Sequence, residues 1–276
     1  MPDIRAALRE AAERLAGTSD TARLDAELLM AHALGVSRSE LLLRHLHSRP
    51  PADFTFILDR RLNHEPIAYI LGTQPFYGLD LEVSPAVLIP RGDSETLIEV
   101  ARIALEERPP SRILDLGTGS GALLLAALAL WSGAEGIGLE RSEAARAIAA
   151  RNAQGNGLVA RARIIAGDWT QAGWTDALGR FDVIFANPPY VGQDAALAPS
   201  VVSHEPAEAL FAGPDGLDDY RRLIPHVPGL LTPGGIALFE IGSTQAGAVA
   251  ALAQSAGLTT KVHQDLAGRP RCVEMA

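Results

Sequence analysis

Apolar and polar positions change their rhythm twice along the chain. Over residues 3–63 the apolar side chains recur at short helical spacings, which predicts several short amphipathic helices. In the second of these Leu24, Leu28, Met30 and Ala31 form the inner face, with Asp25 and Glu27 directed outward. His64-Glu65-Pro66 stops the pattern. Phe76-Tyr77-Gly78-Leu79-Asp80-Leu81-Glu82-Val83 then alternates with a period of two around a glycine, so residues 65–90 are expected to form a β-hairpin linker. A strand-like 86–89 ends at Pro90, and Asp93 or Ser94 is placed to cap a helix through Leu97, Val100, Ile103 and Ala104.

From Ser111 onward the rhythm is strand, glycine turn, helix. Strands are predicted at 112–116, 136–140, 162–166, 181–186 and 235–241, with helices at 122–131 and 143–153. Apolar strands alternating with helices predict an α/β domain whose parallel sheet is covered on both faces, with its ligand crevice at the carboxyl ends of the strands. The expected organisation is a small helical domain over 1–64, the hairpin linker over 65–90 and the α/β domain over 91–276.

Composition narrows the function classes. With 47% apolar and 21% charged residues, the 276-residue chain has ample material for a packed core. The formal charge of −9, from 33 acidic and 24 basic side chains, opposes a nucleic-acid backbone, and no direct nucleic-acid binding is expected. A single cysteine, Cys272, excludes an internal disulfide, and no Cys/His spacing suits a structural zinc site, so no metal is expected. Charged residues interrupt each apolar run near the N-terminus, and the apolar run 122–131 is too short to span a bilayer, so a cytoplasmic protein with no membrane partner is expected.

Asp115-Leu116-Gly117-Thr118-Gly119-Ser120-Gly121 lies where the first core strand turns into a helix. Glycines there let the backbone approach a ligand and present N–H groups at a helix N-terminus. Glu140, nineteen positions beyond Gly121, ends the next strand, where a carboxylate can accept hydrogen bonds from ribose hydroxyls. Gly117, Gly119 and Ala122 also satisfy a relaxed dinucleotide fingerprint, so a nicotinamide dehydrogenase is the rival reading. Asp115 favours S-adenosyl-L-methionine: its carboxylate would meet the cationic amino-acid end of that ligand and repel a pyrophosphate. Asp115 as a mere turn cap and Glu140 as a solvated strand end are the plainer alternatives. After the third strand, Asp168 is placed near the adenine amino group and Trp169 to stack beside it, with ordinary core packing an equal alternative for the tryptophan.

Asn187-Pro188-Pro189-Tyr190 follows the fourth strand and faces the same crevice. Two prolines remove two N–H donors, so carbonyl oxygens dominate this corner. An NH2 group suits such a corner: the Asn187 side-chain oxygen and the Pro188 carbonyl each take one N–H, and the Tyr190 ring covers the flat face of the acceptor. A rigid turn capped by Asn187 is the plainer alternative.

These residues closely resemble the release factor glutamine N5-methyltransferases, which modify the glutamine of the Gly-Gly-Gln loop in class I peptide-chain release factors. The resemblance also runs through Phe76-Tyr77-Gly78, Val83-Ser84-Pro85, Leu88-Ile89-Pro90-Arg91, Glu205-Pro206, Asp215-Gly216-Leu217, Glu240-Ile241-Gly242 with Gln245, and Asp265-Leu266-Ala267-Gly268-Arg269. It implies a Rossmann-like S-adenosylmethionine-dependent methyltransferase domain with a small N-terminal helical domain that helps dock the release factor, in a monomer. By the same resemblance Gly117 to Gly121, Glu140, Trp169 and Asn187 contact the methyl donor, while Asn187 to Tyr190 hold the glutamine. The Asn-Pro-Pro-Tyr motif is shared with adenine and cytosine amino-methyltransferases, so adenine in nucleic acid or another protein glutamine is the alternative acceptor. Gly92-Asp93-Ser94-Glu95 replaces the usual Pro-Asp-Thr-Glu, which leaves the roles of Arg91 and Glu95 open, and Pro270 stands where an Asp is expected.

Overall fold

The structure is a computed structural model and describes residues 3–276. The chain divides into two compact units. One holds the chain up to Thr73 together with Leu197–His204, and the other holds Gln74–Ala196 and Glu205–Ala276.

The first unit is helical: α1 (Ile4–Leu15), α2 (Ala22–Leu34), α3 (Arg38–Glu40) running into a π turn at Leu41–His45, α4 (Phe54–Leu62), α5 (Ile67–Leu71) and the later α9 (Pro199–His204). Ile4, Leu8, Ala11 and Leu15 line one face of α1 and pack with Leu29, Met30, Leu41 and Leu58. The α2 face departs from expectation, because Asp25 and Glu27 are only 4% and 5% exposed while Leu24 is 40% exposed. Asp25 accepts from Arg61 at 2.8 Å and Glu27 from Arg23 at 2.6 Å, with Arg38 on its other oxygen. Burial of a carboxylate is tolerable once cations and hydroxyls satisfy it; Ser19, Thr21 and Arg23 are local partners, while Arg38 and Arg61 are brought in from beyond the helix. Residues 67–71, expected within the hairpin linker, form α5 instead, and Ile67 and Ile70 pack on the helical core.

Strands β1 (Thr73–Phe76), which joins the second unit from Gln74 onward, and β2 (Leu79–Glu82) open that unit. Their two-residue turn, Tyr77-Gly78, has φ of 46° and 79°, as a hairpin with right-handed strand twist demands. Tyr77 tolerates this because its N–H donates to Glu95 at 2.8 Å and its hydroxyl to Glu99 at 2.5 Å. The stretch 86–89 is not a strand; Ser84 and Pro85 start a turn, and the chain reaches Pro90 as irregular structure with Val87 and Ile89 buried. A short 3-10 turn, Gly92–Ser94, leads into α6 (Glu95–Ala104). Neither Asp93 nor Ser94 caps this helix with its side chain, and Ile103 is exposed.

The main sheet has seven strands: β3 (Arg112–Leu116), β4 (Glu135–Glu140), β5 (Ala162–Ala166), β6 (Phe181–Ala186), β7 (Leu231–Glu240), β8 (Thr260–Gln264) and β9 (Pro270–Met275), in the order β5-β4-β3-β6-β7-β9-β8. The first five are parallel, as expected, but β9 runs antiparallel to β7 and β8 antiparallel to β9. The sheet is therefore mixed. The polar run Thr260-Lys261-Val262-His263-Gln264 lacks the apolar signature of a covered strand because it is an edge strand that is largely exposed. Helices α7 (Ala122–Leu130) and α8 (Glu143–Gly155) follow β3 and β4, while α10 (Asp218–Leu223), α11 (Val227–Leu230) and α12 (Ala246–Ser255) flank β7. Alternate residues of β6 enter opposite cores, Val183 and Phe185 with α6 and α7, Ile184 and Ala186 with α10 and α11. The chain order reverses between β3 and β6, which places the ligand crevice of such a sheet at the carboxyl ends of those two neighbours. Among the described residues no helix is long and apolar enough to cross a membrane.

Candidate active site

A cavity of about 450 Å³ opens at this switch point. Gly117, Thr118, Gly119, Ser120, Glu140, Asp168, Trp169, Asn187 and Pro189 line it, whereas Gly121, Pro188 and Tyr190 are not among its lining residues. The loop after β3 turns tightly because Gly117, Gly119 and Gly121 all have positive φ. At Gly117 a Cβ would lie 2.9 Å from the Trp169 ring, so only glycine admits the indole there. Glu140 closes the loop: one carboxylate oxygen accepts from the Gly119 N–H at 3.0 Å and the other from the Ser142 N–H at 2.8 Å. Buried Asn152 on α8 ties the loop to the hairpin, donating to Ser120 and Glu82 carbonyls at 2.8 and 3.0 Å and accepting from the Glu82 N–H.

Asp115 turns inward. Its Oδ2 accepts from the Thr118 hydroxyl at 2.5 Å and from the Leu124 N–H, the turn-capping role that sequence left as an alternative. The carboxyl also borders the cavity, and burial pushes its pKa up to about 7 despite those hydrogen bonds. Asp168 spends one oxygen on the Thr170 N–H and hydroxyl, which hold its pKa below the ordinary carboxylate value. Trp169 does more than fill core, since its Nε1 donates to Asp219 at 2.8 Å and this fixes the ring across Gly117.

At the end of β6, Asn187 sits with its Nδ2 3.4 Å from the Ser94 hydroxyl oxygen. Ser94 donates to Glu240 Oε2 at 2.5 Å, and the Tyr190 hydroxyl donates to Oε1 of the same carboxylate at 3.2 Å. Burial raises the pKa of Glu240 from its ordinary value, against the hydrogen bonds from Ser94 and Tyr190 and the Arg271 charge, and raises that of Tyr190 above the ordinary phenol value. Gln245 holds the backbone of the motif, its Nε2 donating to the Tyr190 carbonyl at 3.0 Å. Arg91, on the cavity wall, pairs with buried Glu205, and Glu95 serves the hairpin turn. Ser94, Asn152 and Glu240 carry no cofactor or acceptor role in the sequence reading. The signal was faint: Ser94 lies in a run that departs from the family pattern and Glu240 ends a strand 146 positions away.

A glycine-rich loop at one parallel strand, a carboxylate at the next, and an acceptor-rich Asn-Pro-Pro-Tyr corner at the neighbour on the other side together define a methyltransferase. A family model described as a methyltransferase domain matches residues 108–274, and one described as the PrmC N-terminal domain matches residues 6–72. The Rhodospirillum rubrum release factor glutamine methyltransferase is 42% identical over 91% of this chain and 78% of its own length. Those of Cereibacter sphaeroides and Moorella thermoacetica are 42% and 41% identical, each over at least 96% of both chains. This chain belongs to the release factor glutamine methyltransferase family. Its methyl donor is S-adenosyl-L-methionine. In fold the chain is similar to a Pyrococcus furiosus methyltransferase, with a TM-score of 0.53 at 20% identity over 79% of this chain and 95% of the other. The hMettl16 catalytic domain gives 0.55 at 15% identity over 72% and 76%.

Proposed function

We propose that this chain methylates the side-chain amide nitrogen, N5, of the glutamine in the Gly-Gly-Gln motif of class I peptide-chain release factors. The observation that carries this reading is the similarity to release factor glutamine methyltransferases across both units, at about 40% identity. The helical unit is assigned to docking the release factor, and the active species is a monomer in the cytoplasm.

The residues present fit S-adenosylmethionine. Left-handed backbone at Gly117 and Gly119 opens a cradle beside Glu140, whose carboxylate retains lone pairs beyond its two backbone bonds and is free to accept from ribose hydroxyls. Trp169 and Asp168 border the same cradle on the side assigned to adenine. Asp115 borders the cavity with a pKa that burial raises to about 7, and a cationic ammonium beside it would draw it back to the ionised form and pair with it. When bound, the cofactor supplies a methyl group on a cationic sulfonium.

An amide nitrogen is a weak nucleophile because its lone pair is delocalised into the carbonyl, the resonance that also gives a peptide bond its barrier of about 18–20 kcal/mol. Orientation by the chain compensates. Asn187 Oδ1 and the Pro188 carbonyl accept the two N–H groups of the glutamine, turning its lone pair toward the donor, and the Tyr190 ring, anchored through its hydroxyl, limits the positions the amide can take. The two prolines at 188 and 189 keep competing N–H donors out of this corner.

The test offers purified release factor, adenine-containing DNA and ribosomal protein in parallel, with labelled methyl donor and mass spectrometry of the products. Methyl incorporation on the Gly-Gly-Gln side chain is expected. Incorporation into adenine, or at any other atom of the release factor, would refute the assignment.

A further inference from the structure

We propose that Glu240 is a positioning residue that fixes which end of the Asn187 side-chain amide meets the acceptor, acting through Ser94. This rests on the acceptor role given to Asn187 above.

The argument is one of proton counting. Glu240 ends β7 with 1% of its surface exposed; in the ionised form, which the Ser94 and Tyr190 hydroxyls and the nearby Arg271 charge favour against burial, its carboxylate is an acceptor only. Ser94 owns a single hydroxyl proton and donates it to Oε2 at 2.5 Å. What Ser94 then presents to its other neighbour is lone pairs. Asn187 must meet those lone pairs with a donor, its NH2 end, as it does at 3.4 Å. The opposite end, Oδ1, makes no hydrogen bond within the described chain and is left for the ligand. A flipped amide would set oxygen against oxygen, unless Ser94 turned its proton away and stripped a buried carboxylate of a partner.

The second oxygen of the carboxylate accepts the Tyr190 hydroxyl at 3.2 Å, so one side chain orients both ends of the Asn-Pro-Pro-Tyr motif. Glu240 itself is held from several sides. The Tyr220 hydroxyl donates to its backbone carbonyl at 2.6 Å, and Arg271 on β9, bound to Asp93 at 3.0 Å and to the Ile241 carbonyl, supplies the nearby positive charge. Asp93 and Ser94 enter on the same 3-10 turn, which accounts for that turn lying against the end of β7.

Ser94→Ala, Ser94→Thr and Glu240→Gln are compared with wild type for single-turnover methyl transfer to release factor at saturating cofactor, for cofactor affinity by calorimetry and for thermal stability. Ser94→Ala and Glu240→Gln are expected to lower the single-turnover rate by roughly 10- to 100-fold, the range of a lost hydrogen bond to a charged group. Cofactor affinity and KM for release factor should stay within about threefold, a split that a structural loss does not give. Ser94→Thr keeps the hydroxyl and should restore most of the rate. A near-wild-type rate for folded Ser94→Ala, no rescue by threonine, or a loss matched by loss of cofactor affinity would each overturn the proposal. NMR of the Asn187 side-chain amide needs no acceptor: contacts from its NH2 protons to the Ser94 side chain are expected in wild type and absent in Glu240→Gln. If wild type leaves the release factor unmethylated, the functional reading fails; if wild type methylates it but the amide contacts persist in Glu240→Gln, the positioning role fails.

Discussion

Single residues at this site act through protonation and hydrogen-bond direction. Asp115 is the clearest case, because burial raises its pKa from about 3.8 to about 7 in the folded chain. An acid with a raised folded pKa stabilises the fold fully below its unfolded pKa and loses that contribution as pH rises toward the folded value. The loss therefore falls between about pH 4 and 7 and is on the order of a few kcal/mol. Glu240 is shifted in the same direction. Asp115→Asn is expected to flatten the fall in melting temperature over this window; an unchanged slope would show that Asp115 is ionised in the free protein. The glycine loop and the Asn187 motif were readable in the sequence because backbone freedom and missing N–H groups belong to residue type alone. Ser94 and Glu240 were not, since the role of a serine or glutamate depends on which partner the fold brings within reach, as Asp25 and Glu27 also show.

At the scale of elements, the end of β4 and the start of α8 form one device. Ser142 caps α8, its Oγ accepting from the Ala145 N–H at 3.3 Å, while its own N–H donates to Glu140. Ser142→Ala should cost about 1 kcal/mol of stability through the lost cap and leave cofactor affinity nearly unchanged, because the backbone bond to Glu140 survives. Glu140→Ala should weaken cofactor binding by roughly 1.5–3 kcal/mol through loss of a charged acceptor. Calorimetry and thermal melts on the two variants separate these effects; equal losses of affinity would mean that Glu140 merely shapes the loop. The parallel strands and their helices were legible from apolar runs broken by glycine turns. The antiparallel pair β8 and β9 was not, because the exposed edge strand needs no apolar face and in β9 Pro270, Arg271 and Glu274 interrupt the apolar run. Helix α5, five residues long, was hidden for a similar reason: its burial comes from packing on a core assembled by other helices.

At the scale of the whole molecule, every residue lining the cavity belongs to the α/β unit. A chain lacking residues 1–73 is thus expected to bind S-adenosylmethionine within about threefold of wild type while losing most of its activity on intact release factor. Full activity of the folded, truncated chain would remove the docking role of the helices. The family was recognisable from local motifs, whereas the division into units was only partly so, because α5 and Leu197–His204 join the helical unit from beyond its expected boundary. That late contribution has a consequence for biosynthesis. The ribosome must add the 123 residues from 74 to 196 before it reaches the last piece of the helical unit. At about 5–20 residues per second this is a delay of roughly 6–25 s. During that interval the first helices already hold every residue of their apolar core, so they can pack together before α9, which buries none of its own residues, is added at their edge.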